Sequence, residues 1–405
     1  MAEVWITGIG LVTALGCDRE TTWSRLLRGE SGVAPLRLFD TTGYRTHLAA
    51  QVDDSCLTLP SVAAAALRHA SRTSRLGIAA AAEALTDAGL PIQAGVKHPW
   101  GVVFGGGSAG LFEAEEFLRR RLRHGHRTRA LNEFLEVPQD ASTDRVAEAF
   151  SLAGPRVTVT TACSSSTVAV GLAAEMVAHG ETEVALAGGA DGLCRLTFAG
   201  FNSLRAVDAE PAKPFDRRRK GLNLGEGAAV LILESAERAR ARGARPYARV
   251  LGYGVTADAF HMTQPDASGA AWERTVRAAL ADAGVTPDQV DYINAHGTAT
   301  EQNDPAEVAA YVRVFAEHLA RIAVSSVKGA LGHCLCGAGG IEAAITALAV
   351  ARAMVPPTAG FAEPDPACPV DAVPGAGRPW PIRVALSSSF AFGGNSAALV
   401  LGKVA

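Results

Sequence analysis

One cysteine stands where a thiol could act as a nucleophile. Cys163 lies in the sequence TTACSSS at residues 160–166, after a β-rich run and before an alanine-rich run with helical character. At such a strand-to-helix turn, peptide N–H groups and the positive end of the helix dipole favour a thiolate and lower the thiol pKa. A thiolate is the form that attacks an acyl thioester. Taken alone, a cysteine among small residues is more often an inert packing residue.

Two histidines follow predicted strands and supply the context that the cysteine needs. His296 lies in the sequence NAHGTAT at residues 294–300, and His333 ends the sequence SSVKGALGH at residues 325–333. The small neighbours of each imidazole leave room for a substrate. A single histidine is usually structural, but two at equivalent strand ends, together with a cysteine, predict a catalytic site.

Two further motifs have a chemical and a structural interpretation. Cys334 and Cys336 follow His333 and could suggest a metal, but the cluster lacks the second ligand pair of a structural zinc site, so we predict no metal. The glycine-rich sequence SSSFAFGGNS at residues 387–396 joins two predicted strands. It could point peptide N–H groups at a developing oxyanion, and an ordinary hairpin is the alternative.

The elements that must position these residues alternate along the chain. Short apolar β-rich runs are separated by alanine-rich helical stretches, which indicates an α/β protein with parallel or mixed sheets covered by helices. Predicted strands at residues 157–160, 290–294 and 322–325 directly precede the three motifs. The second half repeats the rhythm of the first, so we predict two halves, residues 1–255 and 256–405.

Composition excludes several classes of protein. The 405 residues are 48% hydrophobic and carry a net charge of -3, which fits a folded globular protein and argues against a nucleic-acid partner. No signal peptide and no apolar run long enough to span a bilayer is recognisable, so we expect no membrane partner. Seven scattered cysteines argue against a disulfide framework and favour the reducing cytoplasm.

Taken in order, the motifs resemble those of the β-ketoacyl-[acyl-carrier-protein] synthases of the elongating type II kind, within the thiolase superfamily. The resemblance runs nearly end to end and also covers residues 6–16, 187–190, 214–216, 225–227 and 258–263. It implies a layered αβαβα fold of two similar halves. It further implies a decarboxylative Claisen condensation of a cysteine-bound acyl chain with malonyl-acyl carrier protein, without any metal or organic cofactor.

The resemblance also implies a role for each residue of the site. Cys163 would accept the acyl group from acyl carrier protein. His296 and His333 would stabilise the enolate that forms when the malonyl group loses carbon dioxide. Lys328 would orient the site, supported by Glu307.

The C-terminal loop has two roles by the same resemblance. The peptide N–H of Phe392, with that of Cys163, would form the oxyanion hole. The Phe392 side chain, with Phe390 beside it, would act as a gate between acylation and condensation. Ala391 stands between them where glycine is usual, a change expected to stiffen the gate.

Other departures from the family pattern bear on the substrate. Ser108 stands where a bulky residue often forms the floor of the acyl pocket, so we expect a deeper pocket for long or rigid unsaturated chains. Lys220 replaces a common acidic residue, which the sequence alone does not explain. The serines at 164–166 resemble those of polyketide synthases, which favours secondary metabolism, such as an aryl-polyene system with a catalytically silent partner subunit.

The alternatives are a chain-length partner without catalysis, a thiolase or plant-type ketosynthase, and an enzyme of ordinary fatty-acid elongation. Silent partners usually lose the nucleophile, whereas this chain keeps Cys163, and the two-histidine pattern argues against a thiolase. The expected partners are acyl carrier protein and a second subunit, in a homodimer or in a heterodimer with a chain-length-factor-like chain. Arg68, Arg72 and the arginine-rich run 119–129 are candidates for meeting the acidic carrier.

Overall fold

The structure is a computed structural model in which residues 2–58, 69–93, 95–125 and 131–404 are described. The strands are β1 (Val4–Val12), β2 (Val33–Pro35), β3 (Leu48–Ala50), β4 (Gly101–Gly105), β5 (Arg156–Val159), β6 (Val184–Asp191), β7 (Leu224–Gly225), β8 (Gly227–Ser235), β9 (Ala248–Ala257), β10 (Tyr292–Asn294), β11 (Ala323–Ser325), β12 (Met354–Val355), β13 (Arg378–Pro379), β14 (Val384–Phe390) and β15 (Asn395–Gly402). The helices are α1 (Arg19–Leu27), α2 (Arg72–Asp87), α3 (Leu111–His124), α4 (Ala141–Ala149), α5 (Ser165–Ala178), α6 (Arg195–Ser203), α7 (Ala236–Ala241), α8 (Ala270–Asp282), α9 (Asn303–Phe315), α10 (Lys328–Leu331) and α11 (Ala338–Arg352).

The main sheet is built from two halves with the same strand pattern. Its order is β11-β10-β14-β15-β9-β1-β8-β6-β4-β5, so five strands of the C-terminal half adjoin five of the N-terminal half. In each half two antiparallel pairings are followed by two parallel ones. The halves meet where β1 pairs with β9 over three residues, Val4 to Ile6. The α/β class and the two similar halves are confirmed.

Two apolar helices lie at the centre of the fold. Helices α5 and α11 pack against each other and against strands of both halves, while α2 covers the N-terminal half and α8 the C-terminal half. The strand β8 is buried at nearly every residue because both of its faces are covered, which explains its unbroken apolar sequence. This gives the layered αβαβα arrangement. The predicted boundary at residue 255 falls within β9; we propose that the halves divide in the loop before that strand.

One core helix passes the simple test for a membrane span. Among the described residues, the stretch Leu335–Arg352 is long and apolar enough to cross a bilayer, which corrects our expectation that no such run exists. However, 83% of that stretch is buried inside the protein. A helix that is apolar on all sides and buried by its own fold is a core helix.

Two further expectations, one about cysteine pairing and one about Arg72, need correction. Cys17 and Cys56 form a disulfide between the turn after β1 and the 3-10 helix Asp54–Leu57, although the cysteine spacing gave no indication of a bridge. Arg72 is buried, and its guanidinium bonds Glu226 and Asp54, so it is not a docking residue for a carrier protein. Arg68 and residues 126–129 of the arginine-rich run lie outside the described residues.

Candidate active site

Cys163 lies in a tight turn between β5 and α5. The preceding Ala162 has a left-handed backbone (φ 52°), and this sharp turn places Cys163 directly before the first turn of α5. The side chain is buried and lines a cavity of about 310 Å³. The peptide N–H of Phe392 lies near its sulfur and acts to lower the pKa of the thiol.

The electrostatics of the thiol differ from the sequence-based expectation. Burial raises the pKa of the Cys163 thiol to about 11, although the positive charge of Lys328 and the Phe392 N–H act to lower it. The predicted lowering of this pKa is therefore wrong, because the loss of hydration outweighs the helix terminus. In the free protein at neutral pH, Cys163 is a protonated thiol.

Alkylation tests this raised pKa directly. We expect the rate of Cys163 modification by iodoacetamide to rise about tenfold per pH unit between about pH 7 and pH 9, because only the thiolate reacts. Peptide mass spectrometry measures the rate at this cysteine separately from the four other free cysteines, all buried. A rate that levels off below about pH 8 would contradict the raised pKa.

The two histidines meet beside the thiol. His296 follows β10, and His333 follows the short helix α10, so the ends of two neighbouring strands and their loops converge. Their ring centroids are 5.3 Å apart in an edge-to-face arrangement. Both imidazoles are buried, and both line the cavity that contains Cys163.

The hydrogen bonds fix the same tautomer in both imidazoles. Lys328 Nζ donates to Nδ1 of His296 at 3.2 Å, and the peptide N–H of Leu335 donates to Nδ1 of His333 at 3.2 Å. Burial, with the charge of Lys328, holds the pKa of each imidazole well below its usual value, so both rings are neutral. A neutral ring that accepts at Nδ1 carries its proton on Nε2. The site therefore contains two Nε2–H donors.

Lys328 is held in place by a carboxylate that the sequence analysis missed. Its ammonium forms a buried ion pair with Glu342 of α11 and donates to the peptide oxygen of His296 at 2.7 Å. Ser389 Oγ donates to the second oxygen of Glu342 at 3.4 Å. One carboxylate inside the apolar sequence AGGIEAAITALAVAR was a sign of this role, since an unpaired buried charge is costly.

Glu307 supports His296 rather than Lys328. Its carboxylate accepts hydrogen bonds from the peptide N–H groups of His296 (2.7 Å) and Gly297 (2.8 Å) and from the hydroxyl of Tyr311 (2.7 Å). Burial raises its pKa to about 7. These bonds fix the backbone from which the imidazole of His296 projects.

Two aromatic rings, one fixed and one more exposed, lie at the end of β14 and in the loop that follows it. Phe390 is buried and stacks on Trp272 with ring centroids 4.3 Å apart, whereas the half-buried Phe392 stacks on Phe201 at 5.5 Å. The backbone at Ala391 is extended (φ -110°, ψ 157°), which any residue adopts, so alanine introduces no strain there.

Gly394 fixes the end of this loop. It has a left-handed backbone (φ 78°), and a Cβ atom there would lie 1.9 Å from a carboxylate oxygen of Asp258. The Gly393 N–H also bonds the peptide oxygen of Met262 at 2.8 Å. The Phe392 loop is thus held against the 258–262 loop, and both line the cavity mouth.

Ser108 is buried next to Asp191 and does not line the cavity at Cys163. Its peptide N–H donates to Asp191 at 3.0 Å, and burial raises the pKa of Asp191 to about 6. Its place at the floor of an acyl pocket stays a prediction.

Cys336 also lies next to Asp191, and its peptide N–H donates to that carboxylate at 3.1 Å. Within the described parts of the chain, no group of His, Cys, Asp and Glu side chains could hold a metal ion.

A bulky residue at position 108 tests the pocket prediction. We expect Ser108→Phe to shorten the products, because the ring would fill the volume that the end of a long acyl chain needs. Mass spectrometry of the carrier-bound products measures the chain length, with Ser108→Ala as the control. An unchanged distribution of chain lengths in Ser108→Phe would contradict the prediction.

Comparison with known proteins agrees with this fold. Residues 1–239 match the family model of the β-ketoacyl synthase N-terminal domain, and residues 247–362 match that of the C-terminal domain. The chain is 36% identical over 416 residues to a 3-oxoacyl-[acyl-carrier-protein] synthase 2 of Coxiella burnetii, covering 99% of each chain. These matches define a condensing enzyme of the acyltransferase class.

Two solved structures extend the likeness to polyketide systems. The ishigamide ketosynthase/chain length factor superimposes with a TM-score of 0.92 at 34% identity, over 100% of both chains. A type II polyketide synthase ketosynthase, solved with its acyl-carrier protein and bound to the hexaketide, superimposes with a TM-score of 0.91 at 29% identity, again over 100% of both chains. The chain belongs to the β-ketoacyl synthase family.

Proposed function

We propose that this chain joins an acyl group held on Cys163 to a malonyl group held on acyl carrier protein, with loss of carbon dioxide. The observation that carries this proposal is the convergence of a buried thiol with two Nε2–H donors in one cavity. Acyl transfer requires a nucleophile, and decarboxylation requires fixed hydrogen-bond donors for the enolate; this cavity contains both.

Acyl loading uses the sulfur and the Phe392 loop. The Cys163 sulfur attacks the carbonyl carbon of the incoming thioester, the carrier thiol leaves, and the thiol proton is transferred to it. The Phe392 N–H already lies near this sulfur. Together with the Cys163 N–H it stabilises the oxyanion, and Phe392 itself acts as the gate. The raised thiol pKa leaves the sulfur protonated until a substrate is bound.

Condensation uses the two histidines. As the malonyl carbon–carbon bond breaks, the electron pair moves onto the thioester oxygen, where Nε2–H of His296 and of His333 hold the enolate. The enolate carbon attacks the acyl carbonyl carbon, and the thioester bond between that carbon and Sγ of Cys163 breaks. The sulfur then takes up a proton from solvent. Lys328 and Glu307 position the ring of His296, and the Leu335 N–H positions that of His333. None of these steps calls for a metal or an organic cofactor.

The partners and setting follow from the same family. Acyl carrier protein delivers both groups, and the second subunit is either a copy of this chain or a chain-length-factor-like chain. We propose type II polyketide or fatty-acid biosynthesis in the cytoplasm as the setting. The likeness to the ishigamide ketosynthase/chain length factor supports the heterodimer. A chain-length partner without catalysis is disfavoured because the thiol and both histidines are present.

Loss of the thiol tests the proposal. We expect Cys163→Ala to abolish transfer of a radiolabelled acyl group from acyl carrier protein to the enzyme, because no other group forms the thioester. Cys334→Ala is the matched control, because it removes a second buried thiol near the site. Persistent labelling of Cys163→Ala would show that the nucleophile lies elsewhere.

A further inference from the structure

Two cations line the mouth of the cavity that leads to Cys163. Arg205 follows helix α6, and Lys220 lies in the segment before β7; both side chains are exposed to solvent. Neither takes part in the thiol–histidine arrangement. Lys220 is also the residue that replaces a common acid of the family.

The backbone brings the segments that carry these two residues side by side. Val207 and Leu222 form a parallel bridge, and the Leu222 N–H bonds the peptide oxygen of Ala206 at 2.9 Å. Arg205 and Lys220 each lie two positions before the bridged residues. Gly221, whose Cβ would lie 2.5 Å from the peptide carbon of Val207, allows this close approach. The two residues therefore lie on adjacent backbone segments, and both line the same cavity.

Neighbouring cations in the same segment all have carboxylate partners. Arg217 pairs with Glu363 at 2.7 Å, Arg218 with Asp216 at 2.9 Å, Arg219 with Asp365, and Lys213 with Glu210 at 2.9 Å. By contrast, the side chains of Arg205 and Lys220 form no ion pair or hydrogen bond with any residue that the structure describes. The charge of Lys220 also acts on the carboxylate of Glu210, which bonds Lys213 instead. Two like charges at one cavity without an ion-pair partner of their own favour an anion there.

The anion must belong to a molecule that reaches Cys163 through this mouth. Resting on the proposed function, we propose that Arg205 and Lys220 bind the phosphodiester that joins the pantetheine arm to the carrier protein. The arm is uncharged between its thioester and this phosphodiester, so one negative group lies at the cavity mouth while the thioester lies at the sulfur. Asp258 and Glu301 also line the cavity. They come from other loops, and Asp258 accepts a bond from the Phe260 N–H at 3.0 Å.

Acyl donors without a carrier protein isolate this contact. The donors are octanoyl-pantetheine, which is uncharged, and the methyl diester of octanoyl-phosphopantetheine, which carries the single phosphodiester charge. In the wild-type enzyme we expect kcat/KM for acylation of Cys163 to be about tenfold higher with the diester. Lys220→Gln should remove this preference, Lys220→Arg should keep it, and all three proteins should use octanoyl-pantetheine equally well.

Further variants separate charge from structure. Arg205→Asn should also reduce the preference for the diester, and asparagine tolerates the left-handed backbone there (φ 55°). Arg217 is an exposed cation away from the cavity, so Arg217→Gln is the matched control and should leave the preference for the diester unchanged. Equal use of both donors by the wild-type enzyme, or a loss in Lys220→Gln seen with intact carrier protein alone, would overturn the inference. A wild-type enzyme that acylates Cys163 from no donor, including octanoyl-carrier protein, would refute the proposed function itself.

Discussion

Replacing His333 with alanine is expected to lower the rate of condensation about 100-fold to 1000-fold while Cys163 still accepts an acyl group. The variant removes one of two Nε2–H donors aimed at the enolate oxygen, and losses of this size follow the removal of one such donor. The Leu335 N–H that holds Nδ1 marks this ring as a donor rather than a base. The two half-reactions are measured separately, as acyl-Cys163 by mass spectrometry and as carbon dioxide released from labelled malonyl-carrier protein.

Two controls accompany this variant. His333→Asn keeps an amide N–H near the lost donor and should retain more activity than His333→Ala. His318→Ala removes a half-buried histidine of the same half, away from the cavity, and should leave both half-reactions unchanged. If His333→Ala lost acylation and decarboxylation to the same extent, the ring would serve the sulfur, and the assignment to the enolate would be wrong.

The regular elements around the site follow closely from the sequence. The strands predicted at residues 290–294 and 322–325, before the two histidine motifs, are β10 and β11 within two residues. These segments are buried on all sides, so their composition is governed by the core alone. The histidine motifs could also be predicted from the sequence, because side chains that follow neighbouring parallel strands meet at one edge of the sheet.

What the sequence did not reveal depends on distances between remote residues. Glu342 is only 14 residues from Lys328, yet nothing in the chain indicates that α11 brings its carboxylate to the ammonium. The Cys17–Cys56 disulfide spans 39 residues and has no motif. The thiol pKa was predicted in the wrong direction because the helix terminus can be read from the sequence, whereas the depth of burial cannot.

The buried pair of Lys328 and Glu342 supplies the largest expected effect on stability. Lys328→Met leaves the Glu342 carboxylate buried without its counter-ion, which should lower the free energy of unfolding by about 3–5 kcal/mol. The double variant Lys328→Met, Glu342→Leu removes both charges and should recover most of that loss, since an apolar pair fills the same space. Urea unfolding of the wild type, both single variants and the double variant gives the coupling energy.

Activity should not recover with stability in the double variant. Without the ammonium, Nδ1 of His296 loses its donor, so the proton no longer has a fixed position on Nε2 and condensation should stay low. Arg277→Ala, which breaks an exposed ion pair with Glu273 on α8, is the reference and should cost no more than about 0.5 kcal/mol. If Lys328→Met cost no more stability than Arg277→Ala, the Glu342 carboxylate would not need its counter-ion. If the stable double variant were fully active, Lys328 would not position the imidazole. Its charge would then be dispensable at this site.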